Sequence, residues 1–294
     1  MTFKELRTEI YNCIGLDFQA ASSVLQEKVF ALSVADTLEL ISEIGAIPED
    51  IVHDSTEEKL YTKVSDILLA KSLMEMNIEA KVLTQRGDCA DVVAQSRNHK
   101  YSLVGDAKAF RLSRTAKNVK DYKIGSMDKW RGDCDYSVLV CPYFQYPKNK
   151  SQIYKDALNL NVSFFSWEYL YILLKEGVKE SPSVNLSQLW NQSAIIGRTV
   201  TVENSKNNFL NRQDVNLAKI LNIPVADFCK YFDEVKKRLI QRGNMEIKYY
   251  EQEMERVKSL DRDTAISELL KSMKLDSKIT TIKGFIDQIS NEDD

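Results

Sequence analysis

The stretch Gln85–Lys123, QRGDCADVVAQSRNHKYSLVGDAKAFRLSRTAKNVKDYK, constrains this chain more than any other. Strand-type residues over Ala90–Gln95 and Tyr101–Lys108 predict two neighbouring strands. Side chains alternate faces along a strand, so Asp106 and Lys108 project to one side and Ala107 to the other. Asp91 follows the turn residues Gly87 and Asp88 and shares a face with Val93. If the two strands pair, Asp91 and Asp106 come close enough to share a cation. Two carboxylates with a backbone carbonyl and waters make a hard-oxygen site suited to Mg²⁺. Lys108 beside them would orient or activate a water, or neutralise charge developing on a phosphate. Solvated strand ends are the plain alternative for so short a pattern. Placement favours chemistry, because the acids end apolar strands and lead directly into a run of bases.

That run is Lys108, Arg111, Arg114, Lys117, Lys120 and Lys123, one base every third residue. With six bases and Asp121 the one acid, Lys108–Lys123 has a formal charge of +5. On an α-helix, steps of three residues drift by about 60° each, so the six bases would spread around most of the cylinder. A loop or extended segment following a phosphate backbone fits the spacing better. Asn118, the lysines and Asp121 can address adenine, guanine and cytosine edges respectively. An ordinary basic loop with turn-forming Asn and Asp is the competing reading.

The flanking sequence reads as support. Ser33 can cap a helix carrying Val34, Leu38, Ile41 and Ile44, which Gly45 stops before Pro48. Ser55 opens a second helix with Glu58 at the third position, the pattern of a capping box. Glu58 has a second reading, as a helix acid that faces the strands and completes a metal shell through water. Leu60, Val64, Ile67 and Leu68 form that helix's apolar stripe. Further strands are predicted over Ala80–Leu83, Tyr136–Val140 and Val162–Phe165, with a helical patch at Met127–Trp130 and helices from Ser151 and Trp167. Strands and helices alternating in this way imply an α/β or α+β core with a mixed sheet. Beyond Gln188 only helices are predicted, at Asn208–Leu221, Val225–Leu260 and Thr264–Met273, with a break at Arg242-Gly243-Asn244. That tail either packs on the core or pairs with a second subunit.

Composition narrows the chemistry. Five scattered cysteines without a Cys-x-x-Cys pair argue for reduced thiols and against structural zinc. Two histidines argue against a histidine-built metal site or a Ser-His-Asp triad and turn attention to carboxylates and lysines. A net charge of −3 means that any nucleic acid must be met by a local patch. The amino terminus lacks a signal-peptide core and the apolar runs are too short to span a bilayer, so a cytoplasmic protein without membrane contact is expected.

Longer stretches go further. STEEKLYTK, QRGDCADVVA, VGDAKAFRLSRTAKN, YFQYPKNKSQI, FFSWEYLYILL and DSKITTIKGFI resemble the HindIII family of type II restriction endonucleases, within the PD-(D/E)XK nuclease superfamily, along most of the chain. The resemblance implies an α/β fold, a restriction-endonuclease-like core with a mixed central β-sheet flanked by helices, plus a helical C-terminal region. It implies one domain over 1–294, with the catalytic core at about 50–187 and the parts 1–49 and 188–294 packed on it. It implies a bacterial homodimer that cuts double-stranded AAGCTT after the first A, with Mg²⁺ as cofactor, leaving 5′ overhangs and 5′-phosphates. A cognate DNA methyltransferase is then expected in the same cell. The catalytic residues carried over are Asp91, Asp106 and Lys108, with the Ala107 carbonyl as a further metal ligand. Arg86, Arg111, Arg114 and Lys117 fall to DNA binding, and Ala116, Asn118, Lys120, Asp121 and Lys123 to base reading. Two positions depart from the pattern: Ala90 replaces the proline before the first catalytic acid, and Thr84 stands where the family has a glutamate. A non-cleaving DNA-binding protein of the same fold and a structure-specific repair nuclease are the rival functions.

Overall fold

The computed structural model describes residues 1–83, 89–114, 119–147, 151–202 and 205–290. Thr84, Arg86, Ala116, Lys117 and Asn118 therefore lie outside the described residues.

Three helices come first, α1 (Phe3–Asn12), α2 (Phe18–Phe30) and α3 (Val34–Ile44), followed by the two-residue strand β1 (Ala46–Ile47). Ser33 caps α3 as its sequence predicts, its Oγ accepting from the Asp36 N–H at 3.1 Å. The long α4 (Thr56–Glu75) precedes β2 (Ile78–Val82), β3 (Val92–Ser96), β4 (Ser102–Ala107) and β5 (Phe110–Arg111). Two short helices, α5 (Val119–Tyr122) and α6 (Ile124–Arg131), lead to β6 (Tyr136–Cys141). Then come α7 (Ile153–Asn159), β7 (Val162–Ser166), α8 (Trp167–Lys175), α9 (Ser187–Trp190) and α10 (Gln192–Gly197). The remaining elements are α11 (Ser205–Ile220), α12 (Val225–Lys258), α13 (Arg262–Ser272) and α14 (Leu275–Ser290). Compact units divide at Gly243/Asn244, the first running from Met1 to Gly243 and the second from Asn244 to Asp294. In the second unit α13 packs on α14.

The main sheet has five strands in the order β2-β3-β4-β6-β7. β2, β3 and β4 run antiparallel, while β4, β6 and β7 run parallel, so the sheet is mixed as expected. Helices cover both faces. Val138 and Val140 of β6 enter the core shared with α4, α3 and α8, whereas Leu139 and Cys141 enter the core shared with α6 and α7. A strand buried on both sides reads as an unbroken apolar run, which is what Ser-Val-Leu-Val-Cys is. Gly105 permits close approach of β4 to α4, since a Cβ there would lie 3.0 Å from Leu69 Cδ2.

Two expectations are corrected. Arg242-Gly243-Asn244 does not break the long helix, which is helical throughout Val225–Lys258. One glycine costs a helix only about 1 kcal/mol, and Arg242 is anchored beside it, its guanidinium 4.7 Å over the Phe3 ring and 3.5 Å from Glu43. The basic ladder is not one loop or extended segment either. Arg111 ends a strand, Lys120 and Asp121 sit in a one-turn helix, and Lys123 takes a left-handed conformation with φ 47° before α6. Local turns suit a spacing that gives no helix a single basic face.

Glu168 supplies a pH test of the fold. It is buried at the start of α8 and accepts the Tyr143 N–H at 2.8 Å. Burial pushes its carboxyl up to about 7, against the opposing pull of the Tyr143 N–H. The native state thus holds a proton that the unfolded chain has already released, so this contribution is intact at low pH and is lost as pH rises from about 4.5 through 7. Glu168→Gln keeps an acceptor for Tyr143 and removes the ionisation. Its stability relative to wild type is expected to climb by up to about 3 kcal/mol between pH 5 and 8. Urea unfolding at several pH values checks this, and parallel pH profiles for the two proteins would refute it.

Candidate active site

The pairing of β3 with β4 sets the site. Val92 is registered against Gly105, and Asp91 precedes the first strand as Asp106 follows the glycine in the second. The Asp91 carbonyl accepts from Leu83 N–H at 2.8 Å, which extends the β2–β3 ladder up to the acid. Asp106 is 1% exposed, and the Lys108 ammonium lies against its Oδ2. Sequence-predicted Asp91, Asp106 and Lys108 are therefore brought together.

A third acid joins them that the sequence reading missed. Asp66, in the middle of α4 and 6% exposed, reaches the strand ends. Carboxylate oxygens of Asp66, Asp91 and Asp106 lie within 4.8 Å of one another. Gly105, one residue before Asp106, lets α4 approach closely enough for this, because Leu69 packs on it one helical turn beyond Asp66. The signal available was slight: Asp66 and Lys71 are the two charged residues in the run Val64–Leu73. Glu58, read either as a capping-box glutamate or as a helix acid facing the strands, is not in this group. It accepts the Asp54 N–H at 2.7 Å and pairs with Arg111 at 2.6 Å. Its helix start is capped by Ser55 Oγ, which accepts from the Glu58 N–H at 3.2 Å.

Electrostatics follow from crowding. Burial pushes the Asp91 carboxyl up to about 6, and a shared hydrogen bond and repulsion from Asp106 add to this, against Lys63 and Lys108. Asp66 is raised well above the ordinary range, first by burial and then by the charges of Asp91 and Asp106. For Lys108 burial favours the neutral amine, but Asp106 outweighs it by charge and hydrogen bond, and the net shift is upward. Its side chain, 16% exposed, is thus a fixed cation and not a proton acceptor. The backbone of Lys108 is held at both ends: its N–H donates to Val140 O at 2.8 Å, and its carbonyl accepts from Trp167 Nε1 at 2.9 Å.

The donor set fits a divalent cation. Asp66 Oδ1 is buried and has no hydrogen-bond partner among the described residues, an acceptor left for a positive charge. Mg²⁺ binds oxygens at about 2.0–2.1 Å, so ligands of one ion stand up to about 4 Å apart, and the 4.8 Å group needs little contraction. Ala107 ends β4 between Asp106 and Lys108, where its carbonyl is within the same short segment.

Of the ladder, Arg111 is directed inward, donating to Pro48 O at 2.8 Å and Glu49 O at 3.3 Å besides Glu58. Arg114 pairs with Asp121 at 2.7 Å. The Lys123 ammonium lies 5.6 Å over the Trp130 ring.

A mixed sheet whose paired strand ends bring buried acids and a lysine together is an arrangement that suits metal-dependent cleavage of phosphodiesters. The chain belongs to the HindIII restriction endonuclease family, which it matches over residues 8–286. It is 38% identical over 290 residues to the type II restriction enzyme HindIII of Haemophilus influenzae, a match covering 99% of this chain and 97% of that protein. Among solved structures it is similar to the restriction endonuclease FokI, with a TM-score of 0.36 and 15% identity over 59% of this chain and 32% of the FokI chain. No helix among the described residues is long and apolar enough to cross a membrane.

Proposed function

We propose that this restriction endonuclease hydrolyses double-stranded DNA at AAGCTT after the first A, acting as a homodimer with Mg²⁺. The observation that carries the reading is the convergence of Asp66, Asp91 and Asp106 within 4.8 Å, with the Lys108 ammonium against Asp106. Specificity is inferred from the 38% identity to HindIII along nearly the whole chain. A palindrome is matched by two identical subunits, each addressing one half-site and one strand.

Asp91, Asp106 and the Ala107 carbonyl would hold the metal, with Asp66 as a third acid. When bound, Mg²⁺ supplies Lewis-acid stabilisation of the phosphoryl oxygens and lowers the pKa of a coordinated water. Lys108 holds its proton at Nζ and donates toward the scissile phosphate or the attacking water. Burial of the acids excludes bulk water, which strengthens each of these interactions. Water attacks phosphorus in line with the departing 3′ oxygen, and no enzyme side chain becomes covalently attached. Arg86, Lys117, Lys120 and Lys123 meet phosphates or base edges, and Ala116, Asn118 and Asp121 face bases in the major groove. Such an enzyme works in the bacterial cytoplasm beside a methyltransferase that protects host sites.

Run-off sequencing of plasmid digests is the direct test. Cleavage with Mg²⁺ is expected at AAGCTT with four-base 5′ overhangs, and none with EDTA. Cutting at another sequence would replace the proposed specificity, binding without cutting would favour a non-cleaving DNA-binding protein, and preference for branched DNA would favour a repair nuclease.

A further inference from the structure

The chain from Phe110 to Ser113, between the catalytic Lys108 and the proposed base readers, is stitched to Gly45–Glu49 more tightly than a surface connection requires. Phe110 N–H donates to Gly45 O at 3.0 Å, and β5 pairs in parallel with β1, Ala46 opposite Phe110 and Ile47 opposite Arg111. Beyond the strands, Glu49 takes over. Its Oε1 accepts the Ser113 N–H at 2.8 Å, and its Oε2 accepts the Ser113 hydroxyl at 2.8 Å. Arg111 closes the other side, bonded to the carbonyls of Pro48 and Glu49 and, at 2.6 Å, to Glu58. Glu49 is 8% exposed.

A carboxylate taken out of water costs free energy unless its oxygens are engaged. Glu49 is engaged by two donors of one residue, which fixes Ser113 in position and orientation together. A hydrophobic contact would hold the segment without setting its register; a charge-assisted, two-point hydrogen bond sets both. Arg114, the next residue, pairs with Asp121 at 2.7 Å. A continuous series of contacts thus runs from Glu49 through Ser113 and Arg114 to Asp121 and its neighbour Lys120.

We infer that Glu49 is a specificity-positioning residue, holding Ser113 so that the segment carrying Lys120, Asp121 and Lys123 meets base edges in one register. Glu49 is not part of the three-acid group; in this proposal it acts through the segment it anchors. The inference rests on the reading that this segment contacts bases. A right base contact is worth about 1–3 kcal/mol over a wrong one. Glu49 stands outside the group of three acids, so loosening the anchor erodes discrimination before it erodes turnover.

The experiment compares wild type, Glu49→Ala, Glu49→Gln and Ser113→Ala on a duplex containing AAGCTT and on duplexes with one base pair of that site changed. Single-turnover rates, KM and melting temperature are recorded for each. Glu49→Ala is expected to keep the AAGCTT rate within about threefold, while its preference over one-base variants falls by about tenfold or more. Glu49→Gln, which retains one acceptor, should recover part of that preference, and Ser113→Ala should lie between. Unchanged preference in a folded Glu49→Ala protein overturns the inference, as does an equal loss of rate on all duplexes. If Glu49→Ala does not fold, Glu49→Gln and Ser113→Ala decide by the same criterion. Asn118→Ala and Lys120→Ala separate this from the parent reading: if they alter discrimination and Glu49→Ala does not, the anchor falls alone. If they too leave it unaltered, the base-reading segment itself is misassigned and the anchor falls with it.

Discussion

Lys108→Ala is expected to stop cleavage and, in the absence of metal, to lower the melting temperature; adding Asp106→Asn should restore the melting temperature and leave the enzyme inactive. The two effects have separate causes. Cleavage is lost because a fixed cation is removed from the point where negative charge develops, a change worth on the order of 10²–10³ in rate for a single preorganised donor. Stability is lost because Asp106, 1% exposed, is left without the ammonium that now lies against it. Removing one member of a buried pair costs about 3–5 kcal/mol when the other stays charged. The figure here should be smaller, since the Lys108 side chain is 16% exposed and water can reach the vacated position. The double variant has no charge at either position, so the penalty disappears while the chemistry stays absent. Single-turnover cleavage with Mg²⁺, calorimetry in EDTA and DNA binding in EDTA distinguish these outcomes. Wild-type cutting by Lys108→Ala would remove it from the active site, and a double variant no more stable than the single one would show that the pair does not carry the stability difference.

How far the sequence foretold the molecule depends on the range of the physics at each residue. Asp91, Asp106 and Lys108 were placed together because strand alternation is local and two adjacent strands with a short connection pair as neighbours. The apolar runs of β6 and β7 were equally plain, since strands buried on both faces have little room for polar residues. Asp66 was hidden by the opposite circumstance. An amphipathic stripe of Leu60, Val64, Ile67 and Leu68 leaves Asp66 on the opposite face, yet α4 is buried on all sides from Val64 to Leu73. Only the tertiary packing of α1–α3 and the sheet around the helix turns that acid inward. Glu58, read both as a capping glutamate and as a helix acid facing the strands, sits at the helix start and pairs with Arg111, while Asp66 reaches the strand ends. The pairing of β1 with β5 involves two residues on each side, too few for any periodic signal. Its consequence, the anchoring of Ser113 by Glu49, is a contact across 64 residues that no local pattern encodes.

Asp66→Asn should act on stability and activity in opposite directions, which makes it the most discriminating single change at the site. Asparagine has nearly the shape of aspartate and cannot ionise. Burial and then the neighbouring Asp91 and Asp106 raise the Asp66 carboxyl well above its ordinary range. A folded-state pKa above the unfolded one means that the native protein gains from the protonated form, and that this gain is lost as pH rises. In EDTA at pH 8 the wild type must therefore either ionise three acids within 4.8 Å or hold protons against the solvent. Asp66→Asn escapes that cost and should melt a few degrees higher, each kcal/mol being worth about 2–4 °C in a protein of this size. The advantage should shrink as pH falls toward the ordinary carboxylate range, where holding the proton costs the native state little. With Mg²⁺ present the order should reverse, because the metal stabilises the wild type through a negative charge that the variant lacks. Cleavage should fall by about 10–100-fold, with the half-saturating Mg²⁺ concentration displaced upward. A variant that melts below wild type in EDTA at pH 8, or that cuts at the wild-type rate across a Mg²⁺ titration, would show that Asp66 is a structural acid and that Asp91 and Asp106 hold the metal without it.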